Sequence, residues 1–215
     1  MPDALPLHGR LVRLEPMAPA HAEGLLAAAT EDRATFGYTY VPADAAAVER
    51  YIERARLDGE AHLAVTYTIV RAQDGRVAGT SRLRDLEHWH AGVWPPRPGR
   101  ANPDTIPDAG AIGSTWLAPW AQRTGINTET KYLLLSMAFD QWNVHRISLH
   151  ADARNTRSRT AIERLGAAFE GIRRAHFLAA DGGIRDSALY SITRDDWSHV
   201  REQLTKTLDQ HTTGS

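Results

Sequence analysis

Six consecutive residues near the middle of the chain, Gln122, Arg123, Thr124, Gly125, Ile126 and Asn127, have types suited to holding an anion. They lie in "WLAPWAQRTGINTETKYLLL", which runs from Trp116 to Leu135, between an apolar stretch and an amphipathic one. A helix that starts at such a loop leaves its first backbone N–H groups without internal acceptors, at the positive end of the helix dipole. Gly125 lets the main chain approach a phosphate closely, Arg123 adds a full charge, and Thr128 extends the polar first turn. The spacing is neither that of the P-loop nor that of the dinucleotide fingerprint. An ordinary helix start uses the same residue types, so the loop alone does not name a ligand.

Two other groups carry chemistry. In "NTRSRTAIERLG" Asn155 caps a short helix, and Ser158 puts a hydroxyl on its first turn. That hydroxyl can serve a reaction or satisfy a helix N–H, and Arg159 can meet a phosphate or water. The segment from Glu87 to Gly110 holds five prolines, which forbid a regular helix or a central strand. A loop of this length in a compact domain is uncommon and points to function. His88 and His90 fall on one side if extended and are candidate bases, with Asp85 and Glu87 as rivals. No third ligand at a useful spacing supports a zinc site at the two histidines. Trp89, Trp94 and Trp120 can wall an apolar acceptor pocket or simply pack.

The elements that must position these groups follow from periodicity. "GRLVRLEPM" begins as a first strand, "APAHAEGLLAAAT" reads as a helix, and Asp44 caps another from Ala45 to about Leu57. "HLAVTYTIV" and "VAGTSRLRDL" form a hairpin about Asp74-Gly75. "AIGSTWLAP" is a strand. Ile126, Thr130, Leu133, Leu134, Met137, Ala138 and Trp142 then make the inner stripe of a helix. "HRISLHA" alternates through Ile147, Leu149 and Ala151, and the Asn155 helix ends at Gly166. "AAFEGIRR" and "IRDSALYSIT" are two last strands joined by "ADGG", and "RDDWSHVREQL" is a closing helix. The expected class is mixed α/β (α+β), with helices on both faces of one sheet.

Composition narrows the function. A chain of 215 residues, 42% hydrophobic, suits one domain over residues 1–215, with an ordered core at 9–204 and a polar tail. The net charge of −1 gives no bulk attraction to nucleic acid or membrane. There are no cysteines, which excludes disulfides and thiolate chemistry. No leader-like apolar run stands at the N-terminus and none elsewhere is long enough to span a bilayer, so a soluble cytoplasmic protein is expected.

Taken in order, these motifs resemble the GNAT acetyltransferase superfamily, and within it the branch that acetylates the N-terminal alanine or serine of ribosomal proteins. The resemblance rests on Ile112, Gly113, Trp116 and Leu117, on Gln122 to Asn127, and on Asn155, Ser158, Leu165, Gly166, Glu170, Gly171 and Arg173. It is completed by Asp186, Leu189, Tyr190, Ser191, Ile192 and Trp197. It implies a mostly antiparallel sheet splayed at the cofactor strand and acetyl-CoA as cofactor, with no metal. Trp116 and Leu117 would meet the thioester, residues 122–128 the diphosphate, and Asn155, Ser158 and Arg159 the rest of the coenzyme. Ser158 would serve the departing thiolate. The acceptor would be a small-molecule amine or a protein N-terminus, against Asp85, His88, Trp89, His90 and Trp94, and a homodimer is a family expectation.

Three departures touch the proton transfers and the helix start. Asn127 replaces a small residue, Ile162 stands where many members carry a tyrosine acid, and Ala111 stands where a glutamate base is frequent. A non-catalytic acyl-CoA-binding module of the same fold is the alternative.

Overall fold

The computed structural model describes residues 4–89 and 106–213. Eight strands form one sheet: β1 (Leu7–His8), β2 (Val12–Pro16), β3 (Ala64–Arg71), β4 (Val77–Glu87), β5 (Ala109–Leu117), β6 (Arg146–Asp152), β7 (Ala168–Leu178) and β8 (Ile184–Thr193). Their order is β1-β2-β3-β4-β5-β6-β8-β7. Neighbours run antiparallel except for β5 and β6, which are parallel. Parallel neighbours need a crossover, and α3 (Ile126–Ser136) with its continuation Met137–Gln141 supplies it. The continuation is a wider turn, in which Trp142 N–H reaches Met137 C=O at 3.0 Å.

The two faces carry different helices. α1 (Ala22–Thr30) and α2 (Ala45–Glu60) cover one face, where Leu25, Val48 and Ile52 pack with Trp116. Asp44 caps α2 as expected, its Oδ1 accepting from Ala47 N–H at 2.8 Å. The helix continues past Leu57 to Glu60 because Asp58, buried on the sheet side, pairs with Arg82 of β4. α3 and α5 (Arg194–Thr213) lie on the other face, over a core of Leu14, Ile69, Leu83, Leu149, Tyr190 and Leu204. α4 (Thr156–Arg164) links β6 to β7, and Gly166 follows it with a positive φ of 88°.

The stripe expected for α3 is incomplete. Glu129 and Lys131 are also buried, because α3 packs against α5 as well as the sheet, where it meets β2. Glu129 reaches the turn between β1 and β2. Its carboxylate accepts from the N–H groups of Arg10 (2.9 Å), Leu11 (2.6 Å) and Val12 (2.8 Å). Three orphan donors are thereby satisfied by one side chain 119 residues away from the first of them. We predict that Glu129→Ala lowers unfolding stability by roughly 2–4 kcal/mol, since it leaves those donors unpaired inside the protein. Urea denaturation at pH 7 measures this, and a loss below about 0.5 kcal/mol would contradict it.

Candidate active site

The site begins where β5 and β6 separate. Their parallel pairing runs from Ala109↔Arg146 to Ile112↔Leu149 and stops there. Beyond that point β5 stays on β4 through Leu117, and β6 stays on β8 through Asp152. A bulge drives the parting: Thr80 faces Trp116 and Arg82 faces Gly113, so Ser114 and Thr115 together oppose Ser81. Ser114 takes a φ of 49°, unusual for a residue with a Cβ. The β5 edge from Gly113 to Leu117 that faces β6 therefore has no strand against it, and its polar groups need another partner.

At the end of β5 the chain makes a short turn at Pro119–Ala121 and then the expected loop. Gly125, with φ 84°, is the residue before α3, and Arg123 has φ 63°. Two left-handed residues in so short a span turn successive N–H groups toward one side, which makes an anion-binding concavity. Among the described residues, no acceptor is found for the backbone N–H groups of Arg123 to Thr128, and no side chain caps the helix. The loop is held from behind. Gln122 Nε2 donates to Leu117 C=O at 3.0 Å, and Thr124 Oγ1 donates to Ala121 C=O at 2.7 Å. Arg157 of α4 donates to Gln122 Oε1 at 3.3 Å and to Thr35 C=O at 2.8 Å, tying the loop to the segment between α1 and α2.

Side chains around this opening take distinct parts. Leu117 and Ile126 are buried in the core and offer only main chain. Trp116 packs edge-on against Phe36, ring centroids 5.9 Å apart, and its buried Nε1 has no acceptor among the described residues. Asn127 and Thr128 are half-buried on the first turn of α3. Asn155 caps α4, its Oδ1 accepting from Ser158 N–H at 3.0 Å. The Ser158 hydroxyl is half-buried close to the end of β6. Arg159 turns inward instead of toward a phosphate, donating to Tyr190 Oη at 3.1 Å and lying over the Phe169 ring.

Of the expected acceptor wall, Asp85 comes within electrostatic reach of His150 beside this opening, while His88 and Trp89 lie away from it. His88 is buried beside Glu87, which pairs with Ala109 at the far end of the β5–β6 contact. At a rise of about 3.3 Å per residue, that lies roughly 10 Å from the parting at Ile112. Trp89 stacks on His145 (5.4 Å) and donates to Glu87 at 3.0 Å, and Glu87 pairs with Arg146 at 2.8 Å. Asp85 is exposed and pairs with Arg84 at 2.7 Å. Trp120 is held by cation–π contact with the guanidiniums of Arg71 (4.3 Å) and Arg76 (4.5 Å), and lines a hollow with Thr124 and Ile126. His90 and Trp94 lie outside the described residues. Among the described residues no group of three His, Asp or Glu is arranged to hold a metal, and no helix is long and apolar enough to cross a membrane.

Sequence reasoning missed three groups at the opening. Leu149 of β6 faces the core, so His150 projects from the opposite face, just past the last β5–β6 pair. Burial, helped by the nearby positive charge of Arg84, pushes its pKa down to about 4. The imidazole is therefore neutral near pH 7. Arg84 follows Leu83 on β4 and lies across Gly113, where a Cβ would meet its Nε at 2.6 Å. Lys131 sits under the bulge, its Nζ donating to Thr115 Oγ1 at 2.5 Å and Ser81 Oγ at 3.1 Å. The alternation of "HRISLHA" was enough to put His150 on the non-core face, but its nearness to Arg84 depends on strand order, which local periodicity does not encode.

With this geometry in place, comparison with known proteins assigns the class. The GNAT acetyltransferase domain matches residues 11–168, and the chain belongs to that family, whose chemistry is acetyl transfer. A GCN5-related N-acetyltransferase from Brucella melitensis superposes with a TM-score of 0.78 at 27% identity, over 96% of this chain and 86% of that one. A structure from T. thermophilus assigned to the acetyltransferases gives 0.76 at 27%, over 97% and 99%. Mycobacterium smegmatis RimJ, solved with CoA-disulfide, shares the fold at 0.73 and 19%, over 94% and 93%. No curated protein matches the sequence. The mixed α/β fold with a mostly antiparallel sheet matches the structures of that family.

Lys131 gives a test of the electrostatics beneath the bulge. Burial pushes its pKa from 10.5 down to about 7. Between those values the unfolded chain binds the extra proton, so stability rises with pH, and the cost of burying the ammonium is in full force below pH 7. We predict that the urea midpoint of the protein climbs from pH 7 to pH 9.5 and that Lys131→Met flattens the climb. An equal climb in the variant would contradict the assignment.

Proposed function

We propose that the protein transfers the acetyl group of acetyl-CoA to a primary amine, on a small molecule or at a protein or peptide N-terminus, with both substrates bound together. The observation that carries this reading is the row of N–H groups from Arg123 to Thr128, unpaired among the described residues, at the end of a parted strand. Those donors suit a diphosphate, with Gly125 leaving the approach clear. The solved complex of the M. smegmatis relative with CoA-disulfide supports the same ligand class. Bound acetyl-CoA supplies an activated acyl thioester.

The chain's own residues then divide the work. The free β5 edge past Gly113 presents main-chain N–H groups to an acyl oxygen, where negative charge develops as the amine attacks. The neutral His150 imidazole, on the face away from α3, receives the proton that the amine sheds. Its low pKa suits a proton lost as the new bond forms, when the amine nitrogen has become far more acidic than a free ammonium. The Ser158 hydroxyl, on a helix oriented by Asn155, donates to the departing thiolate. Holding both reactants in one cleft supplies much of the acceleration.

Release of free thiol from acetyl-CoA with a panel of primary amines tests the reading. We predict amine-dependent release, slowed about tenfold by Ser158→Ala and about a hundredfold by His150→Gln, with CoA affinity held within about twofold in both. Gly125→Val, by contrast, should weaken CoA binding at least tenfold, because a β-branched residue resists a φ of 84°. Binding of CoA without thiol release from any amine would favour a non-catalytic acyl-CoA-binding module. Full turnover by the histidine variant would remove His150 from the proton transfer.

A further inference from the structure

The face of the sheet away from α3 carries a concentration of positive charge that acetyl transfer to a plain amine does not call for. Cross-strand partners share a face, so the pairs Arg84↔Ala111, Ala111↔Ser148, His150↔Leu189 and Asp152↔Ser187 place the side chains of four strands side by side. Arg84 from β4, His150 from β6, His176 from β7 and Arg185 from β8 lie within electrostatic reach of one another. The two imidazole rings are 5.8 Å apart. α1 and α2 make their main contacts with the sheet on β4 and β3.

The nearby carboxylates are already engaged. Asp85 pairs with Arg84 at 2.7 Å. Asp152, buried at the end of β6, accepts from Arg154 through both oxygens at 3.0 and 2.8 Å. Half-buried Arg185 has no carboxylate partner among the described residues and donates only to Ser187 Oγ, at 3.0 Å. Among the described residues, the Nε of Arg84 and the Nδ1 atoms of His150 and His176 are buried without hydrogen-bond partners. Guanidiniums left short of acceptors, beside neutral imidazoles at a cleft mouth, form a receptor for an oxyanion.

We propose that this face binds an anionic group of the amine acceptor, a carboxylate or a phosphate, with Arg185 as its principal contact and Arg84 as the second. The proposal rests on the amine-acetyltransferase reading and narrows its substrate class. An acceptor that enters as a bare ammonium is repelled by this face. One that also carries an oxyanion is drawn in, and the same cations lower the pKa of its amine and favour the free base that attacks.

Three probes with the amine two carbons from the variable group test this: β-alanine, β-alaninamide and 2-aminoethylphosphonate. We expect at least a tenfold higher kcat/KM for an anionic probe than for the amide. Arg185→Gln should collapse that ratio toward one, and Arg185→Lys should restore part of it. The better of the two anions identifies the carboxylate or the phosphate as the group recognised. Equal use of the amide by the unaltered protein, or a ratio that survives Arg185→Gln, would overturn the proposal. If no probe is turned over, calorimetric titration of the CoA-loaded protein decides. An anionic probe that binds, and binds at least tenfold more weakly to Arg185→Gln, supports the site; absence of binding, or equal binding to the variant, overturns it. Binding of CoA with no thiol released from any amine would refute acetyl transfer and not the anion site.

Discussion

Two strands that pair for four residues and then part leave the interior of a sheet with polar main chain and nothing to bond to. In most sheets that arrangement would be costly, because a buried N–H or C=O without a partner costs about 1–3 kcal/mol. Here the bulge at Ser114 and Thr115 enforces it, with Ser114 held in a left-handed conformation that a serine does not favour. The cost is spread over well-packed surroundings, with Leu83, Ile112 and Leu149 closing the sheet just before the parting. Under the proposed function, a ligand with polar groups along an extended chain supplies what the second strand withdrew. The rest of the site is arranged around that deficit.

Helix α3 meets the deficit with a second one. Its first turn and the preceding loop have donors and no cap, and Gln122, Thr124 and Arg157 fix the loop by bonds made on its back. The side chains singled out for an anion thus act mostly as struts, and the proposed binding surface is main chain. Deeper in the same helix, Glu129 anchors the β1–β2 turn and Lys131 supports the bulge through Thr115 and Ser81. One helix therefore joins the anion loop, the strained strand and the edge of the sheet.

Much of the architecture was legible because it depends on local chemistry. Asp44 and Asn155 cap helices where short polar side chains precede amphipathic runs, and Gly125 and Gly166 take left-handed positions at helix ends. The alternation of Ile147, Leu149 and Ala151 identified the core face of β6. What escaped depends on elements far apart in sequence. Glu129 and Lys131 interrupt an apolar stripe, and only their partners on β2, β4 and β5 explain their burial. His88 drew attention because it stands in an unusual loop, while His150 looked like one more residue in a strand. Strand order separates them, placing His150 just past the last β5–β6 pair and His88 at the other end of that contact.

The central claim is that main-chain amides at the start of α3 hold the diphosphate of coenzyme A. Titration of the amide-labelled protein with CoA, followed by nuclear magnetic resonance, addresses it residue by residue. The account predicts that the amide signals from Arg123 to Thr128 shift most and saturate together with the calorimetric binding curve. Saturable CoA binding that leaves those six signals in place while others move would contradict it.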